Sequence, residues 1–76
     1  MKELIEMIAK ALVDNPNDVV VSEIEGEHTI VLELKVAKND VGKIVGKEGN
    51  HAKAIRTILS AASGKKGKKY TLEIIG

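Results

Sequence analysis

Apolar residues recur at helical spacing from the start of the chain. Leu4, Ile5, Ile8, Ala9, Leu12 and Val13 alternate with Lys2, Glu3, Glu6, Lys10 and Asp14. That period predicts an amphipathic helix over residues 2–14 with one buried stripe. Asn15-Pro16-Asn17-Asp18 ends it, because proline lacks an N–H and disfavours helix at the residue before it. The period then drops to two. Val19-Val20-Val21-Ser22-Glu23-Ile24-Glu25 is β-branched and reads as a strand, and Gly26-Glu27 as a tight turn. His28 to Val36 reads as a second strand with Ile30, Leu32, Leu34 and Val36 on one face, closing a hairpin.

Beyond the hairpin the helical period returns. Asn39 or Asp40 can cap a short helix that runs into Ile44-Val45. A longer helix follows, with Ala52, Ile55, Ile58, Leu59 and Ala62 as its buried stripe and Ser63-Gly64 as its end. Lys65-Lys66-Gly67-Lys68-Lys69 reads as a basic loop, and Tyr70 to Ile75 as a last strand in which Leu72 and Ile74 alternate. The order is α-β-β-α-α-β. It predicts a two-layer α+β domain, with helices on one face of a three-stranded sheet. The last strand returns through two helices, so it can lie parallel to its neighbour and the sheet is expected to be mixed.

Length and composition narrow the function. The 76 residues make one domain, which buries about 60% of its unfolded surface and has no room for a deep catalytic cavity. Cysteine is absent, which excludes disulfides and thiolate zinc sites. His28 and His51 are too far apart to suggest a metal pair, so neither metal nor cofactor is expected. Ser22, Ser60 and Ser63 have no evident His/Asp arrangement, and the reading is non-enzymatic. Lys2, Glu3 and Glu6 interrupt any leader, and no apolar run nears the roughly 18 residues of a membrane span. A soluble cytoplasmic domain is expected.

Charge changes the picture further. The net charge is +1, but residues 1–34 carry −6 and residues 35–76 carry +7. That division points to a polyanion-binding face built from the second half.

The chemistry concentrates between Val41 and Ile55. Gly46-Lys47-Glu48-Gly49 forms a turn between two helices, without side chains at either end. A ligand backbone can approach there, at the positive end of the following helix, and Lys47 adds a mobile charge. That arrangement suits a phosphate. A nucleotide P-loop is rejected. Gly42 to Glu48 is one residue short of the pattern, Glu48 stands where a magnesium-binding hydroxyl is needed, and no strand directly precedes it. Lys53, Arg56 and Ser60 lie together off the buried stripe of the longer helix. Tyr70 is the one aromatic residue, so folds that stack bases on aromatic platforms are disfavoured.

The helix–GxxG–helix arrangement within this element order resembles a KH domain of the bacterial (type II) topology, over essentially the whole chain. It looks most like the small single-domain KH proteins of the KhpA family, in Val41-Gly42-Lys43-Ile44-Val45-Gly46-Lys47, Ala52-Lys53-Ala54-Ile55-Arg56 and Thr71-Leu72-Glu73-Ile74. The resemblance implies binding of single-stranded RNA, with the GxxG loop clamping the backbone of about four nucleotides. It further implies an RNA chaperone or post-transcriptional regulator linked to cell division and envelope growth. Its partners would be a second copy or a larger KH-containing protein.

The expected RNA contacts are Lys43, Ile44, Val45, Gly46, Lys47, Glu48, Gly49, Asn50, His51, Lys53 and Arg56, with Leu34 or Val36 as further apolar support and Lys65–Lys69 as an outer contact. One departure stands out. Many relatives carry a basic residue and then threonine after the second glycine, whereas this chain has Asn50-His51. An imidazole there predicts stronger binding in mildly acid solution. Glu48 either caps the longer helix or points outward.

Overall fold

Strand β2 (Thr29–Lys35) is the element on which the other layers register. In the computed structural model, which describes residues 1–76 and every side chain except that of Lys66, β2 is the central strand of three. β1 (Val20–Glu25) pairs with it antiparallel, Val21 opposite Leu34 and Ile24 opposite Val31. β3 (Lys69–Ile75) pairs on the other side in parallel, Leu32 opposite Leu72. The sheet is mixed, and β1 and β3 are its edges. A parallel neighbour cannot be reached by a hairpin. Helices α2 (Val41–Val45) and α3 (Asn50–Lys66) supply the crossover, and α1 (Lys2–Leu12) precedes the hairpin.

The alternation read from the sequence sets the core. Ile30, Leu32 and Leu34 turn one way along β2 and are buried, joined by Val21, Tyr70 and Leu72 from the flanking strands. Ile5 and Ala9 of α1, Ile44 of α2 and Ile55 and Leu59 of α3 close over them. The stripes on the helices are narrower than expected. Leu4 and Ile58 are 40% and 37% exposed, because each lies one position from a fully seated neighbour, Ile5 and Leu59, and is rotated out of the seam.

The end of α3 also differs from expectation. The helix passes through Ser63-Gly64 and stops three residues later, where Gly67 takes a left-handed φ of 70° and donates its N–H to the Ser63 carbonyl. Ser63 is a latch rather than a stop. Its hydroxyl donates to the Leu59 carbonyl and accepts the Tyr70 N–H, both at 2.9 Å, so it ties the first turn of β3 to α3. The basic segment is thereby divided: Lys65 lies in the last turn of α3, Lys69 opens β3, and Lys68 bonds Glu25 and the Gly26 carbonyl at the hairpin.

Asp40 occupies the cap position of α2 but makes no capping bond to it. Its carboxylate is fully buried and accepts from the Asp14 N–H (3.3 Å), the Asn15 N–H (3.0 Å) and the Asn15 side-chain amide (2.9 Å). Lys43 reaches back to bond Asp14 and stands 4.0 Å from Asp40. The group therefore fastens the end of α1 to the start of α2. Burial alone would raise its pKa, but the Asn15 amide, the two backbone N–H groups and Lys43 together hold it below the ordinary value of 3.8. A depressed carboxylate contributes stability that is complete above its unfolded value and is lost as pH falls through the folded one. Native protein should therefore lose stability steeply below about pH 4. Asp40→Asn should be less stable at pH 7 and flatter in that acid range, as denaturant melts across pH will show.

Candidate nucleic-acid interface

The turn between α2 and α3 is built by three residues with positive φ. Gly46 (φ 78°) ends α2 and returns its N–H to the Gly42 carbonyl, and Glu48 (φ 57°) and Gly49 (φ 75°) follow within one tight turn. Left-handed backbone is costly for a residue with a side chain, so Glu48 is held there by its neighbours. The two glycines answer different needs. At Gly49 a side chain would meet nothing within 4 Å, and only the backbone angle calls for glycine. At Gly46 a Cβ would lie 2.6 Å from His51 Cγ, because the imidazole is packed against that α-carbon.

His51 completes the turn. Its Nδ1 lies 2.7 Å from the Lys43 carbonyl oxygen, one of the groups that the end of α2 leaves without a helical partner. No side chain caps the start of α3. Glu48 is exposed and points outward rather than capping it.

Positive charge follows the turn onto α3. Lys47, Asn50, Lys53 and Arg56 are exposed, and among the described residues the side chains of Lys47, Lys53 and Arg56 have no hydrogen-bond or ion-pair partner. Lys43 is different, since its ammonium is already engaged by Asp14 and its pKa is raised by that bond. Of the expected apolar contacts, Val45 is half-buried and keeps some exposed surface. Ile44, Leu34 and Val36 are 0%, 0% and 3% exposed and belong to the core. Those three offer no surface to a base. The helices seal the face of β2 on which Leu34 sits.

The strand that borders the open surface is β3. A groove of about 380 Å³ runs between α3 and β3, lined by Arg56, Leu59, Ser60 and Ser63 on one wall and Lys69, Tyr70, Thr71 and Leu72 on the other. Arg56 joins it to the turn, seven residues or about 10 Å along the helix from Gly49. The Lys69 N–H donates to the His28 carbonyl and the Ile75 carbonyl accepts from the Val36 N–H, so the odd-numbered residues of β3 spend their backbone on β2. The N–H and C=O groups of Leu72 and Ile74 therefore line the free edge, while the Tyr70 N–H is taken by Ser63. The sequence reading missed this wall. The signal was present, because a last strand reached by helical crossover lies parallel at an edge, beside the helix that precedes it.

A model of the KH domain of KhpA and KhpB matches residues 2–74. The chain belongs to the KhpA/KhpB KH-domain family. It is 59% identical to the RNA-binding protein KhpA of Clostridium perfringens, over 99% of this chain and 100% of that one. It is 51% identical to the KhpA of Aquifex aeolicus, over 99% and 95%. Among solved structures it resembles Era in complex with MgGDPNP and nucleotides 1506–1542 of 16S ribosomal RNA, with a TM-score of 0.61 and 23% identity. That likeness covers 97% of this chain and 28% of Era, and it shows the fold. Gly46 and Gly49 thus sit on a turn whose geometry requires both.

The two glycines should separate in a stability measurement. Gly49→Ala should cost about 1–2 kcal/mol, the ordinary penalty of left-handed backbone. Gly46→Ala should cost more, and part of the excess should be recovered in Gly46→Ala/His51→Ala, as a double-mutant cycle by urea denaturation will measure.

Proposed function

We propose that this protein is a non-catalytic binder of single-stranded RNA. The RNA backbone passes over Gly46–Gly49, and the bases lie in the groove between α3 and β3. The observation that carries this reading is one continuous surface. It begins at a side-chain-free turn at the positive end of α3, passes the unpaired Lys47, Lys53 and Arg56, and ends beside the free backbone edge of Leu72 and Ile74. Bases can be held there by Ser60, Thr71 and the free backbone groups of Leu72 and Ile74, polar contacts that an aromatic-poor chain requires. The KhpA relatives, named as RNA-binding proteins, support the same reading. Its cellular role would be that of an RNA chaperone or post-transcriptional regulator in the cytoplasm.

Pairing is the second reading, with a further copy or a larger KH-containing protein. It is favoured by the apolar side chains left outside the core, Leu4, Met7 and Ile58. Two joined clamps would gain avidity through effective concentration. Sedimentation across a range of protein concentrations will reveal a dimer, and one species of monomer mass throughout would remove this reading.

Three phosphate contacts to a single strand predict a log–log salt slope near about −2. Lys47→Asp places a second carboxylate beside Glu48 in the turn. It should fold, bind a mixed-sequence RNA more weakly, and lower the slope to about −1.4. Binding that is equal in both proteins, or unresponsive to salt, would make the turn structural.

A further inference from the structure

Resting on the RNA-clamp reading, we infer that His51 is a specificity residue that selects ribose over deoxyribose in the strand held by the turn. The reasoning begins with its tautomer. The Lys43 carbonyl offers only lone pairs, so Nδ1 at 2.7 Å must carry the proton and donate. In neutral imidazole the other nitrogen is then a bare acceptor. Nε2 faces away from Lys43 on an exposed side chain and has no partner among the described residues. The ring cannot easily turn, because it is seated against Gly46.

An acceptor on the rim of a phosphate clamp has few partners. A phosphate oxygen brings lone pairs and is repelled. In the proposed pose the bases, with their amines, lie away from the ring in the groove between α3 and β3. The donor that a strand carries beside each phosphate is the ribose 2′-OH, which DNA lacks. His51 thus adds a contact to RNA that the backbone N–H groups and lysines of the clamp, which read phosphate alone, do not provide.

The charged groups on the elements around the ring do not alter this assignment. On α2 the Lys43 ammonium is drawn to Asp14; the turn carries Lys47 and Glu48, and α3 carries Lys53.

The test is fluorescence anisotropy with an eight-nucleotide mixed-sequence RNA and its 2′-deoxy counterpart, uracil retained in both, at pH 8. Native protein should prefer the ribo strand about two- to tenfold at pH 8, the worth of one neutral hydrogen bond. His51→Asn keeps a donor for the Lys43 carbonyl but does not reach the position of Nε2, so at pH 8 its ribo affinity should fall towards the deoxy value. Nitrogen-15 NMR of native protein at pH 8 should place the proton of His51 on Nδ1, a readout that needs no variant. The inference is overturned by a native protein with no preference at pH 8, by a gap that persists in His51→Asn, by equal losses on both strands, or by a proton on Nε2. Failure of the clamp itself reads differently. Lys47→Asp would then leave salt-sensitive binding of both strands unchanged.

Discussion

The parallel pairing of β3 with β2 is the constraint from which the rest follows. Antiparallel β1 needs a three-residue connection, but β3 must start at the same end of the sheet as β2. The chain therefore crosses the sheet between the two strands. A short helix and a long helix make that crossing, and their junction must turn sharply above the end of the sheet. That sharpness is why Gly46, Glu48 and Gly49 all take positive φ. The same crossing leaves β3 at an edge with α3 directly over it, which opens the groove. Turn and groove are two consequences of one topological choice.

A helix of five residues cannot hold its own position, since isolated short helices are unstable and α2 offers the core a single fully buried residue, Ile44. Two polar contacts do what packing cannot. Asp40 at the start of α2 accepts three hydrogen bonds from the chain after α1, and His51 takes a carbonyl near its end. Breaking the first would leave the buried Asp40 carboxylate short of partners, so it specifies position more sharply than an apolar contact of equal size, while the exposed His51 contact is backed by the packing of its ring on Gly46. Lys43 joins the first of these by bonding Asp14. Its charge consequently serves the scaffold, while Lys47, Lys53 and Arg56 remain free for a ligand.

Much of this was legible in the residues. The change of period from 3.6 to 2 and back located all three strands and all three helices, and Gly46-Lys47-Glu48-Gly49 marked the turn. What escaped was long-range. Nothing near Asp40 in the sequence distinguishes a helix cap from a buried tie to Asn15, because its partners lie 25 positions away. Ser63-Gly64 carries the local signature of a helix end, yet the hydroxyl is claimed by Leu59 and Tyr70, and the helix continues to Gly67. Leu34 and Leu72 alternate in the same way. Only strand order reveals that the first lies sealed at the centre and the second beside an open edge.

The proposed clamp would have to work with few strong contacts. It has no stacking platform, since the one aromatic residue, Tyr70, is 8% exposed and committed to the core. It carries an acidic residue, Glu48, at the outer point of a turn suited to phosphate. Each feature lowers affinity for a polyanion. The compensation is preorganisation: turn angles set by glycine, an imidazole seated on Gly46, and a strand edge already extended for pairing. Binding at such a surface would order little of the protein, so the interaction energy would not be spent on folding the site. A domain of 76 residues with a modest core can keep such a surface rigid only because its scaffold ties, Asp40 and His51, stand at the two ends of its shortest helix.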